Sequence, residues 1–96
     1  MTVKILIRRK VSADKAAKLK DLVMQLRALS VKQPGYVSGE SLKSVENPDQ
    51  YLVISTWEGL DAWKAWLGSK ERAVIQNQID ALLGSKTEYE VYEYRP

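Results

Sequence analysis

Residues 51–58 read Tyr-Leu-Val-Ile-Ser-Thr-Trp-Glu, and this stretch decides the fold. Side chains of a strand alternate, so Tyr51, Val53, Ser55 and Trp57 share one face while Leu52, Ile54 and Thr56 share the other. Both faces are substantially apolar, so each needs cover. Immediately upstream, Asn47-Pro48-Asp49 is a turn with proline at its second position. It joins this strand to one over 36–45, and the two form a hairpin.

Upstream of the hairpin, Gln33-Pro34-Gly35 supplies a helix stop and the positive φ of a type II turn. The helix it ends carries Ala16, Leu19, Leu22, Val23, Leu26 and Leu29 at steps of three and four, an apolar stripe for packing on a sheet. Lys15, Lys18, Lys20, Asp21, Gln25 and Arg27 occupy its remaining surface as a solvated face, with Ser12 as cap and Asp14 in the first turn. Before it, TVKILIRRKV at 2–11 is strand-like. Downstream, 59–67 holds Leu60, Trp63, Trp66 and Leu67 at helical spacing, and Gly68-Ser69 interrupts. Ser69 caps a further helix whose inner face is Ile75, Ile79, Leu82 and Leu83 and whose end is Gly84. A strand over 87–95 closes the chain.

The order βαββαβ predicts an α+β, ferredoxin-like split βαβ fold: one domain over 1–96, a four-stranded antiparallel sheet with helices on one face. The other apolar face then requires a partner, and a second copy of the chain gives a homodimer of the dimeric α+β barrel type. Composition agrees with a single domain: 96 residues, 45% of them hydrophobic and 28% charged. With no histidine and no cysteine, disulfides, the usual zinc and iron–sulfur ligands and histidine catalysis are excluded.

Lys and Arg number 15 against 12 Asp and Glu, a balance too mixed for a nucleic-acid surface. Apolar runs are too short for a signal core or a membrane span, and the expected location is cytoplasmic. Glu88, Glu90 and Glu93 are expected to pair across the sheet with Lys4, Arg8, Arg9 and Lys10. Arg8-Arg9-Lys10 accordingly reads as a solvated, neutralised edge rather than an anion site.

The run Val53-Ile54-Ser55-Thr56-Trp57-Glu58, followed by Trp66 and Ser69 and supported by the turns at 33–36 and 47–49, resembles the antibiotic biosynthesis monooxygenase family of dimeric α+β barrels. That resemblance implies a ligand cavity between sheet and helices. It also implies oxygen insertion into electron-rich aromatic substrates without metal or flavin, hence no cofactor. The expected pocket wall is Trp57, Trp63 and Trp66, with Ser55, Gln76 and Asn77 as nearby polar groups. Core packing alone is the competing reading of the tryptophans.

Residue by residue, members resembling anthrone oxygenases carry Asn, Trp, Tyr and Arg where this chain has Val53, Trp57, Trp63 and Asn77, so only Trp57 matches. Haem-degrading members carry Asn, Trp and His where Ile7, Trp66 and Gln76 stand, and glutamine does not replace imidazole on haem iron. Quinol-oxidising members often have histidine at the position of Trp66. Base candidates are Glu58, Asp61, Glu40 and Tyr51, none singled out, and Glu58 and Asp61 equally suit the start of a helix.

Two functions follow from the resemblance and the aromatic wall. One is cofactor-independent oxygenation of a small aromatic or polycyclic phenol or quinol. The alternative is a dimer that binds or senses a hydrophobic ligand without catalysis. A third reading is a dimerisation domain whose tryptophans fill the would-be cavity.

Overall fold

The computed structural model describes residues 1–95 and has the predicted architecture: four antiparallel strands in the order β2-β3-β1-β4 with the helices on one side. Strand β1 is Val3–Lys10, α1 Ala16–Ser30, β2 Tyr36–Lys43, β3 Gln50–Trp57, α2 Leu60–Leu67, α3 Lys70–Leu83 and β4 Tyr89–Glu93. Strands β1 and β3 pair from Val3↔Trp57 to Lys10↔Gln50, and β4 lies on the other edge of β1 from Val3↔Glu93 to Ile7↔Tyr89. Among the described residues no helix is long and apolar enough to cross a membrane.

Several expectations about element ends are corrected, β2 stopping at Lys43 rather than 45 and β4 at Glu93 rather than 95. Ser12 is extended and its hydroxyl caps no backbone N–H; a 3-10 turn, Ala13–Lys15, leads into α1 instead, closed by Lys15 N–H donating to the Ser12 carbonyl at 3.0 Å. Strand β4 starts at Tyr89 rather than at 87, because Asp80 of α3 takes the Thr87 backbone N–H at 3.2 Å and its hydroxyl at 3.1 Å. Those bonds hold Thr87 against the helix and away from the ladder.

The other turn chemistry is as expected. Ser69 Oγ accepts from the Arg72 backbone N–H, a cap that contributes about 1 kcal/mol. Gly84 ends α3 in the left-handed conformation. At Gly35, φ is +83°, and a Cβ there would lie 2.5 Å from the Ala62 Cβ of α2. Only glycine lets the turn enter β2 with α2 seated so close.

Alternation along β1 sorts its residues. Val3, Ile5 and Ile7 are buried beneath the helices together with Trp57, Trp63 and Trp66. A second cluster, Val11, Leu19, Leu22, Ile75 and Ile79, welds α1 to α3. On the opposite face the registers align Leu42, Leu52 and Arg8 in one row and Glu40, Ile54, Leu6 and Glu90 in the next. Leu6, Leu52 and Ile54 are only half-buried there, and Leu42 is exposed.

The basic run divides according to the same alternation. Arg8 pairs with Glu90 as expected across the sheet, whereas Lys10 pairs with Asp49 of the turn before β3 rather than with a β4 glutamate. Glu93 pairs with Arg95 instead of β1, and Lys4 donates to Thr56. Arg9 turns inward beside Val3, Ile5 and Ile7 and is buried. The solvated-edge reading is therefore wrong for Arg9: strand parity, not the charge of its neighbours, decides which way it points.

Candidate functional site

Burial of three tryptophans close together leaves little room among them. Trp57 and Trp66 stack with centroids 6.3 Å apart, Trp63 tilts against Trp57 at 6.1 Å, and Tyr36 meets Trp57 edge-on at 5.4 Å. Trp57 is fully enclosed, and its indole N–H donates to Ser55 Oγ at 2.6 Å. It is core and lines none of the cavities described below. Ser55, Trp63, Trp66 and Gln76 do converge on a void, but one of only about 60 Å³, room for a few waters and far below a ligand site. Asn77 is exposed on α3 and lines no described cavity.

Two spaces of ligand size lie further along the sheet, one of them an open cleft of about 490 Å³ beside Arg8, Arg9, Lys10, Leu42, Tyr51 and Leu52. The other, a cavity of about 450 Å³, opens between α1 and the inner faces of β2 and β3, its apolar walls drawn from Ile7, Leu19, Val23, Met24 and Val53. Arg9, Lys20, Arg27, Lys43, Ser41 and Tyr51 supply its polar groups. It continues toward the tryptophans, since Ile7, Arg9, Val23, Arg27 and Val53 line both spaces. Its origin is local: α1 packs closely on α3 but leaves the β2 edge of the sheet uncovered. Arg27 of α1 reaches across to β2, donating to Ser41 Oγ at 2.9 Å. Of the base candidates, only Tyr51 borders this cavity, directly across the ladder from Arg9. Glu40, Glu58 and Asp61 are exposed.

Beneath the smaller void runs a buried polar network. Arg72 donates to Gln76 Oε1 at 3.4 Å, to the Leu67 carbonyl at 3.4 Å and to the Tyr89 hydroxyl. Gln76 in turn donates to Asp80 at 2.9 Å and Thr87 at 2.8 Å. Burial raises the Tyr89 phenol above its ordinary value, with Arg72 and Arg9 opposing it. Arg9 makes none of these hydrogen bonds: its Nε is buried with no partner among the described residues. Desolvation holds its guanidinium below the ordinary arginine value, Tyr89 opposing and Arg72 reinforcing the shift.

Arg72 is a functional candidate absent from the sequence reading, whereas Arg9 is considered there as part of an anion site and set aside. The usable signal for Arg9 was its parity with Val3, Ile5 and Ile7; for Arg72 it was the three-residue step to Ile75 on the inner face of α3.

Comparison with known proteins places these features in context. The family model described as antibiotic biosynthesis monooxygenase matches residues 2–78. Protein SchA of Streptomyces halstedii is 34% identical over 47 residues, which is 49% of this chain. The 42.8 kDa protein in the whiE locus of Streptomyces coelicolor is 45% identical over 38 residues, 40% of the chain. These stretches cover only 12% and 10% of those relatives' lengths. Among solved structures, a conserved protein from Methanosarcina mazei superimposes with a TM-score of 0.90 at 17% identity, covering 99% of this chain and 94% of that one. SnoaB, a cofactor-independent oxygenase from Streptomyces nogalater, does so with a TM-score of 0.87 at 22% identity, with the same coverages. At such identities the structural likeness establishes the fold.

Proposed function

The chain belongs to the antibiotic biosynthesis monooxygenase family, and from that premise we propose that it is a cofactor-independent oxygenase whose substrate, an aromatic or polycyclic phenol or quinol, occupies the cavity between α1 and β2–β3. The observation that carries this reading is the cavity itself, about 450 Å³ of apolar space with a few polar groups at its wall, within the range that small-molecule sites occupy.

In such a reaction the substrate supplies the electrons. An ionised phenol or enol passes an electron to dioxygen, the radicals recombine at the activated ring carbon, and loss of water leaves a carbonyl. Overall a ring CH₂ and O₂ become C=O and H₂O, with four electrons taken from the methylene. The protein's share is to bind, orient and desolvate the substrate so that its anion is stabilised by fixed groups rather than by water. Ile7, Val23 and Val53 form the dry wall, and the Tyr51 hydroxyl is placed to hydrogen-bond a substrate oxygen.

Oxygen uptake with anthrones, hydroquinones and related phenols tests the proposal. Consumption above the uncatalysed rate by metal-free protein is expected; no excess over the blank rejects it. The second reading, a ligand-binding module without turnover, is favoured by Val53, which puts an apolar side chain in the cavity where the anthrone-oxygenase pattern has asparagine. Native mass spectrometry that finds a co-purified ligand in a protein inactive toward all these phenols would select it.

The same reading includes a homodimer closed through the open sheet face. In support, Leu6, Leu42, Leu52 and Ile54 form an apolar centre flanked by Arg8, Glu40 and Glu90, the layout of a self-complementary interface. Sedimentation at micromolar concentration is expected to give twice the chain mass, and a single-chain mass removes the dimer.

A further inference from the structure

The cavity has an unusual charge balance. Arg9, Lys20, Arg27 and Lys43 line it, and among the described residues no carboxylate does. Arg27 is occupied by Ser41, while Lys20 and Lys43 are exposed. Arg9 is different, being 7% exposed and carrying a buried Nε that has no partner among them. The ion pairs on β1 engage its neighbours Arg8 and Lys10, which point to the other face. Asp80, the acid among the charged groups near Arg9, offsets part of its charge but forms no ion pair with it, its carboxylate accepting from Gln76 and Thr87 instead. An enclosed cation with no directly paired counter-charge is costly in a folded chain. A bound anion removes that cost, because guanidinium–carboxylate bonds are charge-assisted and form a matched fork.

We infer that the ligand of this cavity is a hydrophobic acid, its apolar rings lying against Ile7, Val23 and Val53 and its ionised carboxylate held by Arg9. The inference rests on the cavity assigned above as the substrate site and narrows the substrate to aromatic or polycyclic carboxylates. Lys20 and Lys43, at the surface, add attraction toward the entrance without fixing the ligand's orientation. Arg9 is a binding residue, and no proton transfer is assigned to it.

Calorimetric titration at neutral pH with 2-naphthoate, its uncharged isostere 2-naphthamide and the neutral phenol 2-naphthol tests this on the unaltered protein. Binding of naphthoate at least tenfold tighter than naphthamide is expected. Equal affinities, or tighter binding of naphthol than of naphthoate, would overturn the inference. R9M is expected to lose the preference for naphthoate and to melt no lower than the parent, since an apolar chain replaces a buried, unpaired charge. Retention of the preference in folded R9M would overturn it too, whatever its melting temperature, and the isostere comparison stands even where R9M does not fold. No oxygen is consumed in these titrations. Naphthoate bound through Arg9 by a protein that oxidises nothing sinks the oxygenase reading alone, whereas turnover of neutral phenols with no carboxylate preference sinks this one alone.

Discussion

Replacing Trp57 by alanine lowers the thermal midpoint by at least about 12 °C. Trp57 sits at the end of β3 opposite Val3, fully enclosed, in contact with Tyr36, Trp63 and Trp66 and hydrogen-bonded to Ser55. Removing a buried aromatic to alanine costs about 3–5 kcal/mol, because the transfer free energy is lost and a cavity remains. A domain of this size has roughly 5–15 kcal/mol in all, and each kcal/mol shifts the midpoint by about 4–8 °C. Trp57→Phe keeps the ring contacts and loses far less. Calorimetry on the two variants decides the matter: a Trp57→Ala midpoint within a few degrees of the parent would show that the indole is not structural. Since Trp57 borders none of the described cavities, folded Trp57→Phe is expected to bind ligands as the parent does.

Val23→Trp has the largest expected effect on function. Val23 is half-buried on α1 and lines both the ligand-sized cavity and the small void beside the tryptophans. An indole there projects into empty space, so the strain of about 1–3 kcal/mol that usually follows overpacking is largely avoided. It occupies the volume that a fused-ring ligand needs. Affinity for a phenolic or acidic ligand and the rate of oxygen consumption are both expected to fall more than tenfold, with the fold retained by circular dichroism. Val74→Trp, on an exposed position of α3 that lines no described cavity, is the control and leaves both unchanged. Full binding by Val23→Trp would move the ligand elsewhere, for instance to the open cleft beside Arg8, Lys10 and Leu42.

A cation-lined apolar cavity beside a well-packed aromatic core divides the labour within the helix-facing layer. The tryptophans hold α2 onto the sheet, and the cavity assigned to the ligand is displaced toward α1 and β2, where the helices stop short of the sheet edge. That arrangement explains why so few residues of the characterised oxygenase and haem-degrading patterns are needed for the fold. Val3, Ile5, Ile7, Trp57, Trp63 and Trp66 sustain the sheet–helix layer whether or not Asn or His stands at any neighbouring position.

Local rules were enough for the order of elements. Period-two alternation in β1 and β3, the three-and-four stripe of α1, the Ser69 cap, the left-handed Gly35 and Gly84 and the Asn47-Pro48-Asp49 turn each depend on neighbouring residues alone, and the split βαβ topology follows from their succession. The position of the ligand space did not follow, because it depends on distances between elements far apart in the chain: how near α2 brings Trp63 and Trp66 to Trp57, and how far α1 stands from β2. Arg9 lies at the boundary between the two kinds of information. Parity along β1 turns it inward, yet only the assembled layers determine that it meets a cavity without a carboxylate, since burial and counter-charge are properties of the packed structure rather than of any segment.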